Sequence, residues 1–302
     1  MSNNITNTTP IVTRDARFIG ARKLVERGQV EKGALEMLRV LISRAEEEFG
    51  ESSLNTAAVY YEYGNALFLH ISKDSDMMVN DDIMDSVEDS LECMAKSCSI
   101  LYSHLEELEN NKQRLPLQDI QSADYYKWIH EQIPRNLIGI GRILSYQGNH
   151  GDSVESFMNA IPFLEKSFEH FVEKSDPAYL RAHRLLIEAY VQVAEELLMC
   201  SDGEDVVLSD NDKNVIIESS ERIPQARFYY EKSREGLQEL VFSMAKMEQE
   251  KTLPTSEKED ICYLATILMH VGMSLTHAED TEGDVHNDGN VSHTNPTKKR
   301  KL

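Results

Sequence analysis

The sequence has little that would interrupt a helix, with 14 glycines and 8 prolines in 302 residues. Apolar residues recur at three- and four-residue spacing almost everywhere and strand-like alternation is absent, so the chain is expected to be nearly all helix. Cysteine is scarce too. Cys93, Cys98, Cys200 and Cys262 form no C-x-x-C, and the ten histidines show no H-x-x-x-H pairing with them. Neither a disulfide framework nor a zinc site is expected, and the four read as reduced thiols packed in helices. Catalytic signatures are wanting as well. Gly139-x-Gly141 begins a dinucleotide fingerprint, but Leu144 occupies the third glycine position and no strand is expected before it. With no phosphate loop, no H-E-x-x-H and no G-x-S-x-G, the reading is of a protein that is not an enzyme, with no cofactor and no metal.

Positive charge is in deficit. Lys and Arg number 31 against 52 Asp and Glu, for a net charge of −21. Such a field repels nucleic acid and anionic membranes, so a large partner held electrostatically should be basic. No apolar run approaches the length of about 18 residues that a membrane span needs. The start, Met1 to Pro10, has neither a basic n-region nor an apolar h-region, so no secretory signal is expected. At 41% apolar and 27% charged the composition is that of a globular chain long enough to bury a sizeable core.

What is present is a recurring helical phrase: a large residue, two spacers, an apolar-small pair, two spacers and Leu. Its clearest copies are Tyr60-x-x-Tyr63-Gly64-x-x-Leu67, Leu137-x-x-Ile140-Gly141-x-x-Leu144 and Leu268-x-x-Val271-Gly272-x-x-Leu275. Weaker copies run from Tyr190 through Ala194 to Leu197 and from Arg17 through Ala21 to Leu24. That spacing puts the large residues and the small one on one helix face, where the small residue lets a second helix approach closely. Two copies are followed at the same offset by a turn glycine, Gly28 and Gly148, and then by a second helix. The unit is a repeated helix-turn-helix.

Helices are expected at 14–28, 31–49, 54–72, 90–110, 117–147 with a break at Pro134, 151–172, 177–200, 224–248 and 256–277. Residues 1–13 and 278–302 are polar and are expected to be disordered tails around a folded body at 14–277. Two acidic stretches are expected to project as loops or frayed helix ends. The first, 74–92, holds Asp74, Asp76, Asp81, Asp82, Asp85, Glu88, Asp89 and Glu92 without a Lys or Arg. The second, 202–222, holds seven acids against Lys213 and Arg222.

The register of large, apolar-Gly, large, turn Gly, small and bulky residues is similar to that of tetratricopeptide repeats, whose usual length is about 34 residues. Here the intervals from Ala21 to Gly64, Gly141, Ala194 and Gly272 are 43, 77, 53 and 78, so every unit is stretched. The expected fold is an all-α tetratricopeptide-repeat solenoid of about four helix pairs, its second repeat interrupted by an acidic insertion and its last helix a cap. This arrangement resembles the interrupted-repeat histone chaperones typified by NASP. Three details carry the resemblance: Leu24, Gly28 and the turn into Glu31; the run Phe49-Gly50-Glu51 leading to Ala57, Tyr60, Tyr63, Gly64 and Leu67; and Arg184-Leu185-Leu186-x-Glu188 leading into Gln192-Val193-Ala194. The sequence departs from the family in its short insertion, mixed with Met77, Met78, Val79, Ile83, Met84 and Val87, and in Val191 where the family tends to have an aromatic.

The resemblance implies a chaperone that binds histone H3 or H3–H4 and escorts it for nuclear import and chromatin assembly, in contact with a histone acetyltransferase or other assembly factors. It implies histone-binding carboxylates at Asp74, Asp76, Asp81, Asp82, Asp85, Glu88 and Asp89 and, on the first helix of the fourth unit, at Glu188, Glu195 and Glu196. Lys298, Lys299, Arg300 and Lys301 read as a nuclear import signal, so a nuclear location is expected. Tyr60, Tyr63, Tyr190, Phe157 and Trp128 are expected in the helix-packing core rather than as a peptide-stacking set. The rival reading is a tetratricopeptide adaptor or co-chaperone that grips a peptide of another protein. Gripping the acidic C-terminus of a heat-shock protein would call for Lys and Asn where Phe18 and Arg22 stand.

Overall fold

The computed structural model describes residues 9–31, 33–73, 81–112, 120–168, 177–201, 205–210, 213–249 and 262–276, the last without 264 and 267. Eight α-helices follow one another: α1 (Ala16–Glu26), α2 (Ala34–Phe49), α3 (Leu54–Lys73), α4 (Asp81–Lys112), α5 (Ile120–Tyr146), α6 (His150–Phe168), α7 (Pro177–Met199) and α8 (Arg222–Gln249). They pack as pairs, α1 on α2, α3 on α4, α5 on α6 and α7 on α8, and each pair stacks on the next through α2 with α3, α4 with α5, and α6 with α7. One apolar cluster runs from Val12 to Leu275. This is the expected all-α solenoid of tetratricopeptide-like helix pairs. Leu268, Val271 and Leu275 of the closing helical stretch 268–276 are buried in that cluster.

The small residue of the phrase is where paired helices cross. A Cβ on Gly64 would stand 2.9 Å from the Ser90 carbonyl oxygen of α4, and one on Gly141 2.9 Å from the Phe157 ring of α6. A serine of the second helix seals each crossing. Ser90 Oγ donates to the Gly64 carbonyl (2.7 Å) and Ser153 Oγ donates to the Gly141 carbonyl (2.9 Å). Gly28 (φ 62°) and Gly148 (φ 75°) adopt the left-handed conformation that glycine tolerates best. Both end a helix with the same pair of bonds: Gly28 N to Val25 O and Gln29 N to Leu24 O, then Gly148 N to Ser145 O and Asn149 N to Leu144 O.

Four expectations are corrected. The first acidic stretch is not all loop, because α4 begins at Asp81, well before the expected start at 90. Ile83, Val87, Leu91 and Met94 interleave with its acids at helical spacing and pack on Phe68, Ile71 and Ile143, giving the segment a buried face. The second stretch contains a β-hairpin, β1 (Val206–Asp210) antiparallel to β2 (Lys213–Ile217), whose Val206, Leu208 and Ile217 are buried. Pro134 does not break α5, which runs through it. A proline inside a helix costs about 3 kcal/mol, and the buried flanks Ile129, Ile133, Leu137 and Ile138 outweigh that. Finally, the end of the expected N-terminal tail is folded: Ile11–Arg14 form a 3-10 turn, Val12 is buried, and its N–H donates to Asn55 Oδ1 at 3.0 Å. The expected tail residues 1–8 and 278–302 lie outside the described residues.

The crossings predict a graded response to alanine. Gly64→Ala meets backbone, which cannot swing aside, and should lower unfolding free energy by about 1–3 kcal/mol in urea titrations. Gly151→Ala in α6 meets nothing within 4 Å and should be neutral or stabilising by about 0.4–1 kcal/mol.

Candidate functional site

Four acids of the first stretch, Asp85, Glu88, Asp89 and Glu92, form an outward row on α4. Asp81 and Asp82 open the helix, where its dipole favours negative charge. Asp85, Glu88, Asp89 and Glu92 follow on its exposed side, opposite the buried Val87, Ser90 and Met94. Glu92 pairs with Lys96 at 2.6 Å. Asp74 and Asp76 lie outside the described residues, as do Lys298, Lys299, Arg300 and Lys301.

Glu188, Glu195 and Glu196 do sit on α7, but they are not a free carboxylate face. Glu188 is buried and accepts from the Arg142 guanidinium of α5. Glu196 is 3% exposed; it accepts from Ser145 Oγ at 2.6 Å and lies 2.8 Å from His150 Nδ1, so it clamps the α5–α6 turn onto α7. Glu195 is half-buried and accepts from Gln192 at 3.1 Å. Desolvation, then the neighbouring Glu196, push its carboxyl above the ordinary value.

Of the expected core aromatics, Phe157, Tyr60, Tyr190 and Trp128 are buried and Tyr63 is half-buried. Tyr60 and Tyr190, each the first residue of the phrase, donate to a glutamate of the preceding second helix: Glu46 at 2.5 Å and Glu165 at 2.6 Å. Burial pushes the Cys93 thiol up to about 11 and Cys98 up to about 12, so both are inert at neutral pH. Among the described residues no helix is long and apolar enough to cross a membrane, and no group of His, Cys, Asp and Glu is placed to hold a metal.

The expected site residues leave out a chain of charges along the first helices. Arg22 of α1 lies 3.5 Å from Glu62 of α3, which also feels Arg135 of α5. The half-buried Tyr61 lies within electrostatic reach of Arg135, Arg142 and Arg22, and Arg142 within reach of Arg184 on α7 and of Tyr263. The sequence carried a signal for this: Arg22 and Arg142 each directly follow the small residue of the phrase, Ala21 and Gly141.

Glu62 links this chain of charges to stability. Burial raises its carboxyl above the ordinary 4.5, and Arg22 and Arg135 only partly oppose the shift. The folded state then binds the proton more tightly than the unfolded one. Its contribution to stability is full below pH 4.5 and is lost as pH rises through the folded-state value. Urea titrations across that window should show Glu62→Gln more stable than wild type at neutral pH, with a flatter pH dependence; an equal pH dependence in both proteins would contradict this. Glu196→Leu leaves Ser145 and His150 without their acceptor and should cost about 1–3 kcal/mol in the same assay.

No family model and no curated protein matches the sequence. Among solved structures the chain is similar to a kinesin light chain with nearly identical TPR-like repeats from Podosopora anserina, at 12% identity and a TM-score of 0.41, with 88% of this chain and 95% of that chain covered. A variant form of that protein aligns at 14% identity and a TM-score of 0.39, covering 85% and 95%. The assembly chaperone of RpL4, Acl4 (residues 1–338), aligns at 14% identity and a TM-score of 0.27, covering 90% and 98%.

Proposed function

We propose that this chain is a histone chaperone of the interrupted-repeat type, binding histone H3 or H3–H4 and escorting it to the nucleus for chromatin assembly. The observation that carries the reading is the exposed row Asp85, Glu88, Asp89 and Glu92 on α4, within a chain of net charge −21. A basic client meets an anionic helix face there, partly offset at Glu92 by Lys96, which speeds encounter and offsets the client's own repulsion. The Phe49-Gly50-Glu51 and Arg184-Leu185-Leu186-x-Glu188 runs support membership of the NASP-type family, and Lys298 to Lys301 support import. The burial of Glu188 and Glu196 in internal bonds moves the weight of the proposal from α7 to α4. A heat-shock-type clamp is disfavoured because Phe18, at one of its positions, is a core residue at 3% exposure.

Deleting 74–92 would remove Val87 and Ser90 from the core, so the test neutralises charge instead. Exposed ion pairs contribute about 0–1 kcal/mol each. Asp85→Asn, Glu88→Gln and Asp89→Asn together should therefore weaken H3–H4 binding by about tenfold at low salt, with the difference shrinking as salt rises. Isothermal titration against H3–H4, the other core-histone dimer and duplex DNA reads the outcome. Equal affinity of wild type for DNA and histone, or a triple variant indistinguishable from wild type, would remove the basis of the proposal.

A further inference from the structure

The hairpin in the second acidic stretch presents an open strand edge. β1 and β2 form a two-stranded sheet, and among the described residues no third strand lies beside β2. The sheet meets α6 through β1, and Val206, Leu208 and Ile217 hold one of its faces in the core. Alternate residues of β2 turn their N–H and C=O groups away from β1, as in any antiparallel pair. Proteins blunt such an edge with a bulge, a proline or a central charge. Here the register advances without a bulge from Val206 with Ile217 to Asp210 with Lys213, and the middle of β2 is Asn214-Val215-Ile216. Val215 shares a face with its cross-strand partner Leu208, which is 7% exposed, yet Val215 is 49% exposed. That contrast places Val215 at the rim of the docked sheet. On the outer face Val207 and Ile216, also cross-strand partners, are both about half exposed.

We propose that the β2 edge takes a basic, extended segment of a partner protein, rich in β-branched residues, as a third strand. Main-chain hydrogen bonds supply the affinity, and side chains pointing to alternate faces of the new strand cover Val215 on one side and Ile216 on the other. A third strand also relieves the marginal stability of a lone hairpin. Charge selects the sign of the segment. Asp205, Glu218 and Glu221 are exposed at the end where β1 begins and β2 finishes, and the Ser219 N–H donates to Asp205 Oδ1 there at 2.9 Å. The adjacent Arg222 is turned inward, buried and donating to the Cys200 carbonyl at 2.6 Å. A second copy of the chain would instead set two such acidic ends, and two net charges of −21, against each other. The edge is separate from the α4 row, and the proposal does not depend on the histone reading.

Fluorescence anisotropy on the full chain tests this with three labelled peptides of equal length: one alternating Lys and Val, the same peptide with two adjacent prolines at its centre, and one alternating Glu and Val. The first should bind at least about tenfold more tightly than either of the others, because adjacent prolines remove a main-chain donor from each edge and Glu opposes the acidic end. Ile216→Lys, at an exposed position, should melt as wild type does and lose about tenfold in affinity for the Lys–Val peptide. The α4 variant with Asp85→Asn, Glu88→Gln and Asp89→Asn should bind that peptide within about twofold of wild type. Amide hydrogen exchange over 213–217 should slow when it binds. Equal binding of the Lys–Val peptide and either other peptide, wild-type affinity in Ile216→Lys, or unchanged exchange over 213–217 would overturn the proposal. Self-association of wild type that Ile216→Lys abolishes would assign the edge to a second copy and overturn it as well.

Discussion

The structure depends on how closely the two helices of a unit can approach at one residue. Where α3 meets α4 and α5 meets α6, the first helix offers a glycine and the second offers either its own backbone or an aromatic ring, with no space for a methyl group between. The serine hydroxyl that bonds the glycine carbonyl fixes the register of the crossing as well as its depth. From this follow the position of the buried Phe157, the stacking of one pair on the next, and the alignment of the first helices along one face. A solenoid has no central core to absorb an error, since each unit contacts only its neighbours.

That alignment sorts the charges. On the second helix of the second unit, α4, one face is buried against α3 and the other must be polar, and here it is acidic. Arg22 and Arg142, each next to a small residue of the phrase, meet carboxylates on helices far apart in sequence, Glu62 and Glu188. Glu188 and Glu196 show why a carboxylate cannot be judged by type alone: one neutralises Arg142 and the other holds Ser145 and His150, so each contributes to inter-helix cohesion. Buried carboxylates without such partners would be strongly disfavoured.

The hairpin at Val206–Ile217 belongs to the same logic. Its sequence reads as an acidic connector, yet Val206, Leu208 and Ile217 place apolar side chains against the solenoid beside α6. An isolated two-stranded hairpin is marginal in water; docking on a prebuilt helix surface supplies the burial it lacks alone.

What is local was legible in the chain alone. Helical class follows from the spacing of apolar residues, the helix ends at Gly28 and Gly148 follow from glycine's access to positive φ, and the close crossings follow from small residues recurring in the phrase. Net charge is additive, so the acidic balance of the chain could be read directly. The roles of Glu188, Glu196, Arg22 and Arg142 came from packing, because each finds a partner 40 to 51 residues away, across a helix pair: Arg22 with Glu62, Arg142 with Glu188, Ser145 and His150 with Glu196. It also decided that α4 begins among acids and that α5 passes through Pro134, since in both places burial against a neighbour outweighs the preference of the segment alone. Periodicity is a property of one helix, whereas the partner of a side chain depends on the crossing angle and offset of two.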